Sequence, residues 1–224
     1  MKVGIVAALP REVAGLVKGW EARRLPGKVW VYTRGDAVVA CAGMGAARAT
    51  VAVQAAMQAM AVTELLSVGL AGGCDPAVRV GDVVRAGVVI DGRTGERYSG
   101  KADGRVVVTV DAIASVAEKA RLYAAYGATA VDMEAATVAR LAEAHGLGFR
   151  AIKAISDAAD FAMDDLGRFA TRDGQFREGA FALHVAVRPR MWGQTVALAR
   201  NSGRALRALT AALDAELDWY RERA

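Results

Sequence analysis

Short, uninterrupted apolar runs recur along the chain, and segments with helical spacing of apolar residues lie between them. Such runs are typical of strands that are buried on both faces, as in a parallel or mixed sheet. This alternation favours one α/β domain, and since no internal repeat or linker is found, the domain is predicted to span residues 1–224. The predicted strands are 3–8, 29–32, 37–41, 65–68, 83–90, 105–110, 128–131 and 149–155, and the predicted helices are 10–17, 43–60, 114–123, 133–144 and the segment from 188 onwards.

The composition supports a packed core and restricts the function. Hydrophobic residues make up 54% of the chain and charged residues 24%, which rules out wholesale disorder. Basic side chains number 29 and acidic ones 24, so the net charge of +5 is mild and no nucleic-acid partner is expected. Two cysteines and two histidines, far apart in sequence, predict neither a disulfide framework nor a metal site. The sequence contains no signal-peptide pattern and no apolar run of transmembrane length, which predicts a cytoplasmic protein.

Polar residues and glycines follow several of the predicted strands. In α/β sheets the ligand crevice lies at the carboxyl ends of the strands, so these segments are expected to converge on one pocket. The segments are Ala8–Glu12, Gly43–Arg48, Gly69–Gly73, Val131–Glu134 and Ala154–Asp157.

Each segment also has a simple structural interpretation. Gly43–Arg48 matches only half of a dinucleotide-binding fingerprint and could be the turn that starts a helix. Gly69–Gly73 could be a loop, although glycines also let a ligand approach backbone N–H groups. Asp132 and Glu134 could be carboxylates that interact with a helix dipole, and Ser156 could cap a turn. Only the joint order of the segments distinguishes a site from these alternatives.

That order resembles the nucleoside phosphorylase and nucleosidase superfamily, which includes purine nucleoside phosphorylases and methylthioadenosine/S-adenosylhomocysteine nucleosidases. The resemblance implies a three-layer αβα fold with a central mixed, twisted sheet, and cleavage of the N-glycosidic bond of a purine ribonucleoside, with adenine expected as the base. It further implies a small-molecule nucleoside as partner, no cofactor, and a homo-oligomer, most simply a dimer. The matching segments are Met1–Val6 with Glu12–Val13, Gly43–Gly45, Val68–Gly73, Val80–Val83, Val131–Ala135, and Ala154–Asp157 with Ala159–Asp160.

The resemblance also assigns roles to individual residues. Glu134 is expected to accept hydrogen bonds from the ribose hydroxyls, with Met133 packed under the sugar. Asp157 is expected to protonate or hydrogen-bond the departing base, and Glu12 to orient water at the anomeric carbon. Further substrate-binding candidates are Asp132, Ser156, Ile113, Gly72 and Leu70, and the candidates for a phosphate or water site are Arg48, Lys153 and Gly45.

Whether water or phosphate attacks stays open at this point. Phosphorylases of this superfamily bind phosphate with arginines and a hydroxyl beside the glycine-rich turn, whereas the turn Ser67–Leu70 lacks both at the matching positions. Glu12 would repel a phosphate dianion, which favours hydrolysis. Arg11, Arg48 and Lys153 keep phosphate as an alternative co-substrate.

Departures from the family pattern concern the substrate. The segment between the predicted strands 83–90 and 105–110 is short, Ile113 replaces a base-stacking Phe, and Asp132 replaces a Glu. These changes predict a simplified pocket and a larger or unusual 5′ substituent. The alternatives are a catalytically impaired nucleoside-binding or membrane-peripheral protein of the same fold, and a futalosine hydrolase-like enzyme, which would release hypoxanthine.

The C-terminal part resembles a hopanoid-associated phosphorylase subgroup in the segments 173–177, 188–190 and 198–202. Arginines near an apolar pair there could bring the chain into peripheral contact with an anionic membrane. The simpler interpretation is a packed helix with a solvated basic face. The residues concerned are Arg188, Arg190, Arg200, Arg204 and Arg207, with Met191 and Trp192.

Overall fold

A computed structural model describes residues 2–100, 102, 104–162 and 189–221, with the side chains of 189–195 and 221 left out. The described strands form one mixed sheet of eleven strands. They are β1 Val3–Ala7, β2 Glu21–Leu25, β3 Val29–Arg34, β4 Ala37–Cys41, β5 Glu64–Gly73, β6 Val83–Arg85, β7 Val88–Asp91, β8 Arg97–Ser99, β9 Val106–Thr109, β10 Ala128–Asp132 and β11 Gly148–Asp157. The described helices are α1 Pro10–Val13, the 3-10 turn Pro26–Lys28, α2 Ala46–Ala59, α3 Val116–Tyr126, α4 Ala135–Ala144 and α5 Pro189–Arg221.

Apolar side chains cover both faces of the sheet and explain its layers. On one face, small buried residues of α2 and α4, such as Ala52 and Val138, pack against the strands. On the opposite face, Val13 of α1 and Leu209 and Leu213 of α5 pack against β1 and its neighbours. This arrangement confirms the predicted three-layer αβα fold with a mixed central sheet.

The central strand β5 changes its neighbour halfway along its length. Its first half pairs in parallel with β1, the last pair being Val6 with Ser67, and its end pairs antiparallel with β10 at Gly72 and Gly73. On that side, no strand among the described residues pairs with residues 68–71. On the other side, β11 runs parallel to β5 along nearly its whole length. The sheet therefore opens beside the middle of β5.

Several boundaries differ from those predicted. Residues 69–73 are not a loop but the end of β5, because pairing with β10 and β11 continues the strand. The predicted strand 83–90 is two strands, since β6 pairs with β11 whereas β7 pairs with β9. The helix after Pro10 is a single turn, and α2 begins at Ala46 because Gly45 has a φ of 86°. Edge strand β2 was missed because its side chains are mostly exposed and show no apolar pattern.

The hairpin of β3 and β4 and the long helix near the C-terminus agree with the sequence-based expectations. Helix α5 is 33 residues long, but neither it nor any other described helix is apolar enough over a sufficient length to cross a membrane.

Candidate active site

A cavity of about 760 Å³ lies where β5 changes its neighbour, at the carboxyl ends of β1, β5, β10 and β11. The carboxylates of Glu12, Glu134 and Asp157 line it together. The whole lining consists of Ala8, Leu9, Arg11, Glu12, Met44, Leu70, Ala71, Gly72, Val110, Ala112, Ile113, Ala114, Lys119, Val131, Asp132, Met133, Glu134, Ser156, Asp157, Leu198, Ala199, Ser202, Gly203 and Leu206.

Glu12 closes the opening between β1 and β5. One carboxylate oxygen accepts the backbone N–H of Leu9 at 2.8 Å, and the other accepts that of Leu70 at 3.0 Å. The N–H of Leu70 lies in the part of β5 that has no strand partner on that side, so the Glu12 carboxylate satisfies a donor that the sheet leaves over. Gly69 has a φ of 144°, and a Cβ there would lie 2.9 Å from Oε1 of Glu12. A glycine at this position is therefore required both by the backbone and by the close approach of the carboxylate.

Glu134 stands at the N-terminus of α4, directly after β10. Its Oε1 accepts the backbone N–H of Gly45 at 2.7 Å. Gly45 adopts φ 86° and ψ 169°, a conformation that favours glycine and directs the N–H towards the carboxylate. The loop before α2 thus fixes the Glu134 carboxylate at the cavity wall.

A buried polar network lies beneath Glu134. Lys153 pairs with Oδ2 of Asp132 at 2.8 Å and donates to the Ser67 hydroxyl at 3.0 Å. Oδ2 of Asp132 also accepts the backbone N–H of Ala135 at 2.9 Å. Oδ1 of Asp132 accepts the Thr109 hydroxyl at 2.6 Å. Because all these groups have partners, the network can hold two charges in the interior of the sheet.

This network sets the charge of Glu134. Burial and the neighbouring Asp132 carboxylate raise the pKa of Glu134 to about 7, whereas Lys153 and the Gly45 N–H oppose the rise. Burial alone would lower the pKa of Lys153, but Asp132, Glu134 and Glu12 outweigh it and the net shift is upward. Lys153 is therefore the cation that balances several carboxylates, and Glu134 changes its charge near neutral pH.

Asp157 ends β11 and is completely buried. Its Oδ1 accepts the Ser156 hydroxyl at 2.5 Å, and its Oδ2 forms an ion pair with Nζ of Lys119. A Cβ at Gly72 would lie 3.0 Å from both Oδ2 of Asp157 and Cε of Lys119, so the absence of a side chain there lets the pair form.

The predicted site residues fall into two groups. Those that line the cavity are Glu12, Leu70, Gly72, Ile113, Asp132, Met133, Glu134, Ser156 and Asp157. Gly45, Arg48 and Lys153 are not part of the lining that the described residues form. Arg48 donates to the carbonyls of Ala42 and Gly27, outside the cavity, whereas Gly45 and Lys153 act from behind Glu134.

Two features of the site were not predicted. The first is Lys119 of α3, which with Leu122 forms the buried face of that helix. The two residues are three positions apart, which places Lys119 on the same helix face as the apolar Leu122, and this spacing was the available signal. The second is the part of the cavity wall that α5 contributes, within residues Leu198–Leu206. The sequence pattern assigns these residues to a helix, but it does not show that the helix lines a cavity.

Other expectations concern parts of the chain beyond the site. Residues 173–177, and the side chains of Arg188, Arg190, Met191 and Trp192, lie outside the described residues. Arg200, Arg204 and Arg207 are exposed on α5. Within the described part of the chain, no three or more His, Cys, Asp or Glu side chains are grouped so as to hold a metal ion.

A family model described as the phosphorylase superfamily matches residues 2–113 and 101–183. The chain belongs to the phosphorylase superfamily. A search of curated protein sequences found no match.

Three solved structures share the fold over almost the whole chain. A 5′-methylthioadenosine/S-adenosylhomocysteine nucleosidase from Helicobacter pylori, with butyl-thio-DADMe-Immucillin-A, is 16% identical, has a TM-score of 0.67 and covers 96% of this chain and 98% of its own. The futalosine hydrolase of Helicobacter pylori is 17% identical, with a TM-score of 0.67 and coverages of 96% and 97%. An S-adenosylhomocysteine nucleosidase from Streptococcus pyogenes is 19% identical, with a TM-score of 0.65 and coverages of 95% and 96%. At these identities the likeness shows a shared fold.

Proposed function

We propose that this protein cleaves the N-glycosidic bond of a purine ribonucleoside that carries a 5′ substituent, with adenine as the expected base. One observation carries this proposal: Glu12, Glu134 and Asp157, which are far apart in sequence, line the same cavity. Nucleosidases of similar fold that are complexed with nucleoside analogues give independent support.

The residue types suit the charges that develop during this reaction. As the bond breaks, the sugar gains oxocarbenium character and the base gains negative charge. Above pH 7 the Glu134 carboxylate has oxygens that can accept the 2′- and 3′-hydroxyls, and its negative charge stabilises a cationic sugar. Asp157 and its partners would act at the departing base. Two acidic groups in different surroundings can thus take different roles.

We further propose that water is the nucleophile. The Glu12 carboxylate is held at the cavity by two backbone N–H groups and would repel a phosphate dianion. Among the described residues, the cations that line the cavity are Arg11 and Lys119, and Lys119 is already paired with Asp157. Neither Arg48 nor Lys153, the other candidates for phosphate, contributes to the described lining.

The 5′ substituent would contact the wall that α5 provides. Leu198 and Leu206 are apolar, and Ala199, Ser202 and Gly203 between them are small. Such a wall favours an apolar or bulky substituent over a charged one, because the residues of α5 that line it in the described part of the chain carry no charge.

The decisive experiment is mass spectrometry of the products formed from adenosine and inosine derivatives with different 5′ groups, in phosphate and in phosphate-free buffer. Free adenine with the free sugar in both buffers supports hydrolysis, whereas a sugar 1-phosphate formed only with phosphate identifies a phosphorylase. Activity should persist in EDTA, because no cofactor is proposed. Release of hypoxanthine from futalosine would favour the futalosine hydrolase alternative, and tight binding without turnover would favour an impaired binding protein.

A further inference from the structure

The ion pair of Lys119 with Asp157 is the feature of the cavity that the roles above do not explain. Nζ of Lys119 donates to Oδ2 of Asp157, to the carbonyl of Ala158 at 2.9 Å and to the carbonyl of Phe161 at 3.4 Å. The three hydrogens of an ammonium group are therefore all used. Both side chains are 1% exposed, so water does not screen the pair.

The hydrogen bonds of Asp157 identify where the proton is. Oδ2 accepts from the Lys119 ammonium group, and Oδ1 makes the shorter of the two contacts of the Ser156 hydroxyl, 2.5 Å against 3.3 Å to the carbonyl of Ala71. The ion pair with an ammonium group is the arrangement of a carboxylate. A carboxylate has no proton of its own to give to a departing base. The nearest acidic hydrogen is on Nζ of Lys119.

Resting on the proposed function, we infer that Lys119 supplies the proton that the departing base takes up through Asp157. As the C–N bond breaks, its electron pair goes to the base, and a base nitrogen takes a proton from Oδ2 of Asp157. Asp157 receives that proton from Nζ of Lys119, whose N–H bond breaks and leaves a neutral amine. The water that attacks the sugar loses one proton as its O–H bond breaks, and this proton returns through solvent to the Lys119 amine, which restores the ammonium group. Lys119 is thus a positioning and proton-supplying residue that acts through Asp157.

The chain fixes Lys119 for this task. Lys119 lies in the first turn of α3, where its N–H bonds to the carbonyl of Ser115 and the Ser115 hydroxyl caps the helix. Two other titratable groups lie near the pair. Burial raises the pKa of the Cys74 thiol to about 12, so it stays neutral, and Glu118 is paired with Arg121.

Three variants separate this role from a structural one. Lys119→Met removes the charge and should lower kcat by about 10²–10⁴-fold with little change in KM, the range that general acid catalysis contributes. Lys119→Arg keeps the positive charge, but a guanidinium group does not release its proton, so kcat should stay as low as in Lys119→Met. Leu122→Ala creates a cavity on the same buried face of α3, and should lower the melting temperature while leaving kcat within a few-fold of wild type.

The pH profile gives a second, independent measurement. In Lys119→Met the proton must be taken up by Asp157 itself, so the residual kcat should rise as the pH falls from 8 to 6, relative to wild type. A kcat in Lys119→Met equal to that of wild type, a loss with an unchanged pH profile, or full recovery of kcat in Lys119→Arg would overturn the inference and leave the proposed function standing. A wild-type protein that cleaves no nucleoside of the panel would overturn both.

Discussion

The backbone N–H of Gly45 donates a hydrogen bond to Oε1 of Glu134 at 2.7 Å, although 89 residues separate them in sequence. The bond joins the loop before α2 to the start of α4 across one wall of the cavity. An N–H that points at one oxygen also orients the other oxygen, because the carboxylate is planar. The ribose-binding role proposed for Glu134 therefore depends on the backbone of Gly45.

The first prediction concerns the charge of Glu134. Glu134→Gln keeps the shape of the side chain but loses the negative charge, and a hydrogen bond to a charged group is worth about 1.5–3 kcal/mol. At pH 8 we expect kcat/KM for the nucleoside that wild type cleaves best to fall by about 10–100-fold. Glu143→Gln on the exposed side of the same helix is the matched control and should change nothing. Equal activity of the two variants would contradict the role of Glu134.

The second prediction concerns stability. The pKa of Glu134 is about 7 in the folded protein and 4.5 ordinarily, so the folded state binds this proton more tightly than the unfolded chain. Between about pH 4.5 and 7 the contribution of Glu134 to the free energy of unfolding therefore falls as the pH rises, and it stays low above pH 7. Glu134→Gln has no such proton, so above pH 7 it should be more stable than wild type by about 3 kcal/mol at most. Urea unfolding of wild type and Glu134→Gln at pH 5 and pH 8 tests this. The prediction is contradicted if their free energies of unfolding differ by the same amount at both pH values.

The third prediction uses the two charges that oppose each other beneath Glu134. Lys153 lowers the pKa of Glu134 and Asp132 raises it. Lys153→Met should therefore move the rise of kcat/KM to a pH above 7, and Asp132→Asn should move it below 7. Ser67→Ala removes a hydrogen-bond partner of Lys153 but no charge, so its profile should stay near that of wild type. Shifts in the same direction for both charged residues would show that the profile reports another group.

The sequence predicts the core strands because a strand that is buried on both faces is an uninterrupted run of apolar residues. β1 and β4 are buried at every position and were found from their apolar runs. β2 is exposed at Glu21, Arg23 and Arg24, since an edge strand needs no continuous apolar face, and its pairing with β3 cannot be inferred from its own residues.

The candidate site was predictable where its residues follow strands. Glu12, Glu134 and Asp157 lie at or just after strand ends, and the carboxyl ends of neighbouring strands meet at one place. Lys119 was not predictable in the same way, because its partner Asp157 lies 38 residues further along in another element. The cavity wall from α5 depends on how that helix packs across the sheet, which no local pattern encodes.

The fourth prediction tests the close contact at Gly69. Gly69→Ala should displace the Glu12 carboxylate, because its Cβ would lie 2.9 Å from Oε1, and kcat should fall by about 10–100-fold since small displacements of positioned groups are costly. Gly95→Ala is the control: Gly95 has a φ of 80°, but a Cβ there meets nothing within 4 Å. Both variants should lose about 1–2 kcal/mol of stability from backbone strain, and only Gly69→Ala should lose activity. Full activity of Gly69→Ala would show that the position of Glu12 is unimportant.

The last prediction concerns the attachment of α5, which forms part of the cavity wall. Arg150 of β11 pairs with Glu216 and Glu64, bonds to the Tyr220 hydroxyl, and lies 4.8 Å from the centre of the Trp219 ring. If this cation is removed, the carboxylates of Glu64 and Glu216, each 9% exposed, lose their ion pair with Arg150.

We therefore expect Arg150→Met to lower the free energy of unfolding by about 3 kcal/mol, the lower part of the range for breaking a buried ion pair, because Arg150 is itself 18% exposed. Arg121→Met breaks an exposed pair with Glu118 in α3 and should cost about 0.5 kcal/mol or less. Urea denaturation of both variants measures the difference. If Arg150→Met were no more destabilising than Arg121→Met, the ion pairs would not be what holds α5 against β11, and its apolar contacts through Leu209 and Leu213 would suffice.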